Sequence, residues 1–270
     1  ESEEKINSLQ DQLKAVTKEK NAAEGRLHEM EMKVKKGRNK SKSVDKNEAQ
    51  GDLKEAMDLA ESQISGLEKA MQERAKLDVI EKFGPGPHRI EIEIDFNPAE
   101  VPKGNASKFT IEMAPLDLMP YTVHFFLEQV SRGLWDGCSF HRNAGHVVQG
   151  GPIGNHLNNG NVRAPFKTSG YNSVAFQEYH ADFPHKKYTL GYAGRPGGPD
   201  FYVSVQDNTR NHGPGGQTSY KVKSEADPCF AKVVEGFDAV DRMHLLSVEK
   251  GSYQRLKNYV AIKKMTILKD

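Results

Sequence analysis

The first 82 residues of the chain contain no phenylalanine, tyrosine, tryptophan, proline or cysteine. A segment without aromatics can build only a thin core, so this first third is not expected to be globular. All 13 prolines and both cysteines lie beyond Gly84, and residues 83–270 are numerous enough to bury a core of ordinary domain size. Neither Cys138 nor Cys229 sits in a CxxC or His-rich spacing, which excludes a zinc ribbon and a disulfide framework. Both read as buried thiols of a reducing compartment, which favours the cytoplasm. No run of 18 apolar residues exists, so the sequence holds no membrane-spanning helix. The 38 Lys and Arg nearly balance the 37 Asp and Glu, and a net charge of +1 gives no general pull towards nucleic acid or membrane. The ten histidines are scattered. His141 and His146 come nearest to a ligand pair, but both read as structural, and neither a metal nor a cofactor is expected. The chain opens on Glu1 inside a helical repeat rather than on Met, so it reads as truncated or processed, with any targeting signal out of view.

What the first third does contain is periodicity. Ile6, Leu9, Leu13, Val16, Ala23, Leu27, Met30 and Val34 alternate by three and four, with Lys20 the one break, and Leu53, Met57, Ala60, Ile64, Leu67 and Met71 repeat the pattern. Such seams predict two helices, about 4–36 and 49–82, that fold back as a coiled-coil hairpin or pair with another chain. Between them, Lys33 to Lys46 carries seven basic residues against Asp45, and like charges at this density favour a solvated loop. No aromatics interleave with it, so it offers no stacking platform for nucleic acid.

Phe83 to Pro87 ends the helical part, because proline cannot continue a helix. Strand patterns follow at Arg89–Phe96, Phe109–Met113, Thr189–Ala193, Phe201–Val205, Phe230–Val234 and Tyr259–Leu268, with helices opening at Pro120 and Phe237. Residues 152–165 and 207–227 read as surface loops, and Trp135 as core. Many strands and two helices after residue 83 argue for a closed or nearly closed all-β sheet.

The most informative stretch is Phe140 to Gly151, FHRNAGHVVQGG. Arg142 supplies a permanently charged fork of donors, and Gln149 can both donate and accept. Read as one strand, the two lie an odd number of residues apart and share a face only if a bulge or bend intervenes, for which Asn143-Ala144-Gly145 is suited. This segment resembles the signature of the cyclophilins, the prolyl cis/trans isomerases. Met119–Gly133 is similar to that family's first helix, Lys186–Tyr202 to its central strand and loop, and Phe230–Met243 to its late strand and second helix. The resemblance covers roughly 83–270 and implies a cyclophilin-like antiparallel eight-stranded barrel capped by two helices, preceded here by the α-helical hairpin of residues 1–82.

By that resemblance Arg142 and Gln149 are the catalytic pair, and Phe140, His146, Val147, Ala193, Gly194, Asp200, Tyr202 and Asp227 line a pocket for proline-containing peptides. Several positions depart from the family pattern. His146 stands for an aromatic wall, Val147 for Met, Gly194 for Asn, Asp200 for Gln, and Asp227 for His. If Asp200 faces Arg142, its carboxylate would pair with the guanidinium and compete for its fork. The expected activity is prolyl isomerisation, weak or narrowly specific; a silent Pro-peptide-binding module tethered by the coiled coil, or a role carried by the coiled coil itself, stands beside it.

Overall fold

The computed structural model describes residues 2–35, 43–216 and 225–269. It divides into two compact units, Glu1–Ala75 and Lys76–Asp270.

The first unit holds α1 (Ser2–Lys35) and most of α2 (Ser43–Phe83). Ile6, Leu13, Ala60 and Met71, all on the seams, are buried. Lys20, the break in the first seam, reaches Glu61 on α2 at 2.9 Å and Glu24 at 3.4 Å. A hollow lined by Gln12, Ala15 and Val16 on one side and Gln63, Gly66 and Leu67 on the other lies further along. Residue 20 therefore meets 61 while 12–16 meet 63–67, which makes the two helices antiparallel. The stretch expected as a loop is helical at both ends, since α1 runs to Lys35 and α2 opens at Ser43. A Ser-Val-Asp-Lys-Asn-Glu sequence suits opening helical turns, whose free N–H groups favour polar and acidic residues. The middle of the expected linker, 36–42, lies outside the described residues.

The second unit is a closed barrel of eight strands: β1 (Arg89–Asp95), β2 (Lys108–Met113), β3 (Ser139–Asn143), β4 (Val147–Gly151), β5 (Thr189–Tyr192), β6 (Phe201–Ser204), β7 (Cys229–Glu235) and β8 (Arg255–Leu268). They follow each other around the wall as β1-β2-β7-β5-β6-β4-β3-β8, and β8 closes onto β1. Every pairing is antiparallel. The alternation of β1 turns Ile90, Ile92 and Ile94 inward, as the period of two dictates. Phe109, Phe140, Phe201 and Phe230 are fully buried, and the Phe140 and Phe201 rings meet at 5.5 Å with a near-perpendicular tilt, an arrangement aromatic quadrupoles favour.

Helix α3 (Pro120–Ser131) is buried from Pro120 to Val130 rather than along one stripe. Its own N-cap residue makes no side-chain cap; instead the buried Glu178 accepts from the Tyr121 and Thr122 N–H groups at 3.2 and 2.6 Å. The irregular segment around Glu178 thus supplies the negative charge that a helix start favours. Trp135 is buried, edge-on to Phe201 at 4.8 Å. Both cysteines are buried free thiols whose pKa burial pushes up to about 12, so they stay protonated.

The two expected helices are present, and two of the expected loops carry short helices as well. Besides α3 and α6 (Phe237–His244), the barrel unit carries α4 (Arg163–Ser169) inside and beyond the expected 152–165 loop, and α5 (Thr209–His212) in the expected surface loop. Both are too short to show a hydrophobic period, which is the signal that reveals a helix in sequence. The 207–227 segment is also not all surface, since Asn208, His212, Ala226 and Asp227 are buried; its residues 217–224 lie outside the described residues.

Candidate functional site

The signature segment folds as a hairpin, β3 and β4, rather than as one strand. Its turn is closed by Ala144 N–H donating to the Val147 carbonyl at 2.9 Å, and Gly145 takes a φ of 82°. Arg142 and Gln149 are direct cross-strand partners, so no shared parity along a single strand is needed. A bulge between Phe140 and Arg142 does the remaining work. Residues two apart on a regular strand share a face, but here Phe140 is buried among Phe109 and Phe201 while Arg142 lines an outer cavity. Phe140 is therefore core, not cavity lining.

From that hairpin a row of directly opposed residues crosses five strands. Arg255 on β8 faces Arg142 on β3, Arg142 faces Gln149 on β4, Gln149 faces Tyr202 on β6, and Tyr202 faces Gly191 on β5. Gly191 has to be glycine, because a Cβ there would stand 2.5 Å from the Tyr202 hydroxyl oxygen. Gly150 answers the same need on the inner face, where a Cβ would come within 3.2–3.3 Å of Phe201 and Phe140.

Arg255, Arg142, Gln149 and Tyr202 of this row line a cavity of about 860 Å³. Arg142, His146, Val147, Gln149, Ala193, Gly194, Asp200, Tyr202 and Asp227 all line it, so the structure brings together every expected site residue except Phe140. Arg142 donates through Nη1 to Gln149 Oε1 at 2.9 Å, and Gln149 Nε2 donates to Asp200 Oδ2 at 2.9 Å. A direct Arg142–Asp200 pair is replaced by this relay through the carboxamide. Asp200 instead has His141 at 3.5 Å and Arg163 at 3.8 Å. His141, expected to be structural, thus lines the cavity too, and burial lowers its pKa against the opposing charge of Asp200.

Two residues ahead of β8's expected start were missed entirely. Arg142 Nε donates to the Tyr253 carbonyl at 3.2 Å and Nη2 to Gln254 Oε1 at 3.1 Å, while the Tyr253 ring lies 4.8 Å from the guanidinium carbon. Three of the five guanidinium donors are thereby engaged, all with neutral acceptors. The sequence pattern placed the strand start at Tyr259, four residues late, so nothing drew attention to Tyr253, Gln254 or Arg255.

The far wall is apolar at its base and polar behind. Ala144, Val147 and Tyr202 form a small buried cluster with Ala193 against it. Behind it Asp227, 3% exposed, accepts from the Tyr202 hydroxyl at 2.9 Å and from His212 Nδ1 at 2.6 Å, and is also paired with Arg195. Burial alone would raise the Asp227 pKa, but the hydrogen bonds from His212 and Arg195 outweigh it and hold the carboxyl below its ordinary value. The Tyr202 hydroxyl, buried beside that charge, is held far from ionisation and remains a donor. His146 adds a polar ring to the wall. Its ring stacks on His212 at 5.3 Å, and burial lowers its pKa. His212 and Arg195 carried no sequence signal, because a histidine in a loop of unknown path points nowhere in particular.

Among the described residues no group of three or more His, Cys, Asp and Glu is arranged to hold a metal, and no helix is long and apolar enough to cross a membrane. No curated protein matches the chain. A solved structure of the cyclophilin type peptidyl-prolyl cis-trans isomerase from Cryptosporidium parvum overlays 68% of this chain and 98% of its own, with a TM-score of 0.48 and 15% identity. The model of the cyclophilin type peptidyl-prolyl cis-trans isomerase family matches residues 99–267, from the approach to β2 almost to the end of β8. That span covers most of the barrel and more than half of the sequence: the chain belongs to the cyclophilin-type peptidyl-prolyl cis/trans isomerase family.

Proposed function

We propose that the cavity takes X-Pro segments of peptides or proteins and that Arg142 promotes rotation about the prolyl amide, weakly or for a narrow set of sequences. The barrier to that rotation is about 18–20 kcal/mol and arises from amide resonance, so no covalent step is required to lower it. A donor that favours the pyramidal nitrogen of the twisted amide stabilises the transition state more than the planar ground state. Arg142 keeps two guanidinium N–H groups beyond its three protein hydrogen bonds, and Gln149 orients the fork. Ala144, Val147, Ala193 and the Tyr202 ring offer the apolar surface that a proline ring needs. The observation that carries this reading is the Arg142–Gln149 pair at 2.9 Å beside that apolar base, in one cavity.

One observation favours a second reading, a module that binds Pro-segments without speeding their exchange. Tyr253 and Gln254 already occupy part of the Arg142 fork, and a substrate amide must share it with them. Exchange NMR on a short Pro-peptide separates the two. Faster cis/trans exchange that disappears with Arg142→Ala supports the isomerase. Peptide shift changes without faster exchange support the binding module, and the absence of both ends either reading. We further read residues 1–82 as a separate helical module that tethers the barrel to itself or to a partner; sedimentation of the full chain and of a chain lacking them tests this, and an unchanged oligomeric state excludes self-association.

A further inference from the structure

The wall of the cavity is richer in positive charge than the residues that build it can neutralise. Arg142, Arg163 and Arg255 line it together with two carboxylates, Asp200 and Asp227. Both carboxylates are committed. Asp227 is held by Arg195, His212 and Tyr202, and Asp200 by Gln149 with His141 and Arg163 beside it. Glu225 serves Arg195 at 3.2 Å. Glu249, close to Arg255 in sequence, lines a different hollow, shared with Lys257. Among the described residues no ion pair reaches Arg142 or Arg255.

Those two arginines are not scattered. They face each other directly across β3 and β8. Like charges in that position repel, and no carboxylate is interposed to relieve them. The hydrogen bonds of Arg142 go to two carboxamide oxygens and a backbone carbonyl, which satisfy donors without cancelling charge. Arg255 is exposed at the cavity mouth, where its long side chain can follow a ligand.

We propose that the Arg142–Arg255 pair forms an anion-reading site at the mouth of the cavity, which selects X-Pro segments whose neighbouring side chain is a carboxylate. The inference rests on the proposed binding of proline segments and adds their chemical class: acidic rather than neutral or basic. A carboxylate between the two guanidinium groups removes their mutual repulsion and gains charge-assisted hydrogen bonds. Arg255 is the residue that sets this preference, because Arg142 is also tied to Gln149, Tyr253 and Gln254.

The test is a calorimetric titration of the full chain with three short peptides that differ only before the proline, carrying Glu, Gln or Lys. The Glu-Pro peptide is expected to bind about fivefold more tightly than Gln-Pro, with Lys-Pro weakest. The Glu advantage should shrink as salt is raised, disappear in Arg255→Gln and survive in Arg255→Lys. Equal binding of Glu-Pro and Gln-Pro overturns the anion site while leaving proline binding intact, and so does a Glu preference that persists in Arg255→Gln. If none of the three peptides binds, the proline-segment reading falls and this inference falls with it.

Discussion

Asp227 shows at the scale of one residue how polar groups shape an apolar-looking pocket. Its two oxygens hold Tyr202, His212 and Arg195 in place, and it does so almost fully buried. Removing one partner from a buried ion pair leaves the other uncompensated, which typically costs about 3–5 kcal/mol. Arg195 keeps the half-exposed Glu225 as a second partner, so Asp227→Ala is expected near the lower end, about 3 kcal/mol, in urea unfolding. A loss below about 1 kcal/mol would mean that the network is not structural. Sequence named Asp227 as pocket wall but could not name its partners. Arg142 and Gln149 were legible because their residue types and the QGG that follows carry a distinctive pattern. The Asp200 contact stayed open in the sequence because a linear strand does not reveal the bulge at Phe140–Arg142 that turns the arginine outward and lets Gln149 stand between the two charges.

Among the elements, strands and long helices were readable in proportion to their length. The period of two in β1 and the three-four spacing of α1 and α2 persist over enough residues to stand out. Helices α4 and α5, of seven and four residues, do not complete two turns of pattern. Helix α3 was found, yet its cap was not, because Glu178 arrives from more than fifty positions away. Such a cap is worth about 1–2 kcal/mol. Glu178→Ala should therefore lower stability by about that amount in thermal or urea unfolding, while Glu178→Gln, which keeps an accepting oxygen, should recover part of it. Equal losses for both would point to charge rather than hydrogen bonding as the effective feature.

For the molecule as a whole, the buried His185 is a source of acid sensitivity beside His141, His146 and Asp227. His185 is fully buried, donates from Nε2 to the Asp227 carbonyl at 2.9 Å, and is driven by burial from an ordinary pKa of 6.5 down to about 4. Between those values the unfolded chain binds the proton and the folded one does not, so stability falls as pH drops through that window, by up to about 3 kcal/mol. Urea unfolding at pH 7.5, 5.5 and 4.5 is expected to show that decline, and His185→Gln to flatten it; an identical decline in both proteins would assign it to other groups. The closed wall carries a different consequence. Each of the eight strands has a hydrogen-bonded neighbour on both sides, so no free backbone edge is offered for a visiting peptide to lengthen the sheet. The cavity is lined by side chains rather than by an open backbone edge. The barrel thus offers no shared ladder as a grip, and other copies of the sheet cannot stack onto it edge to edge.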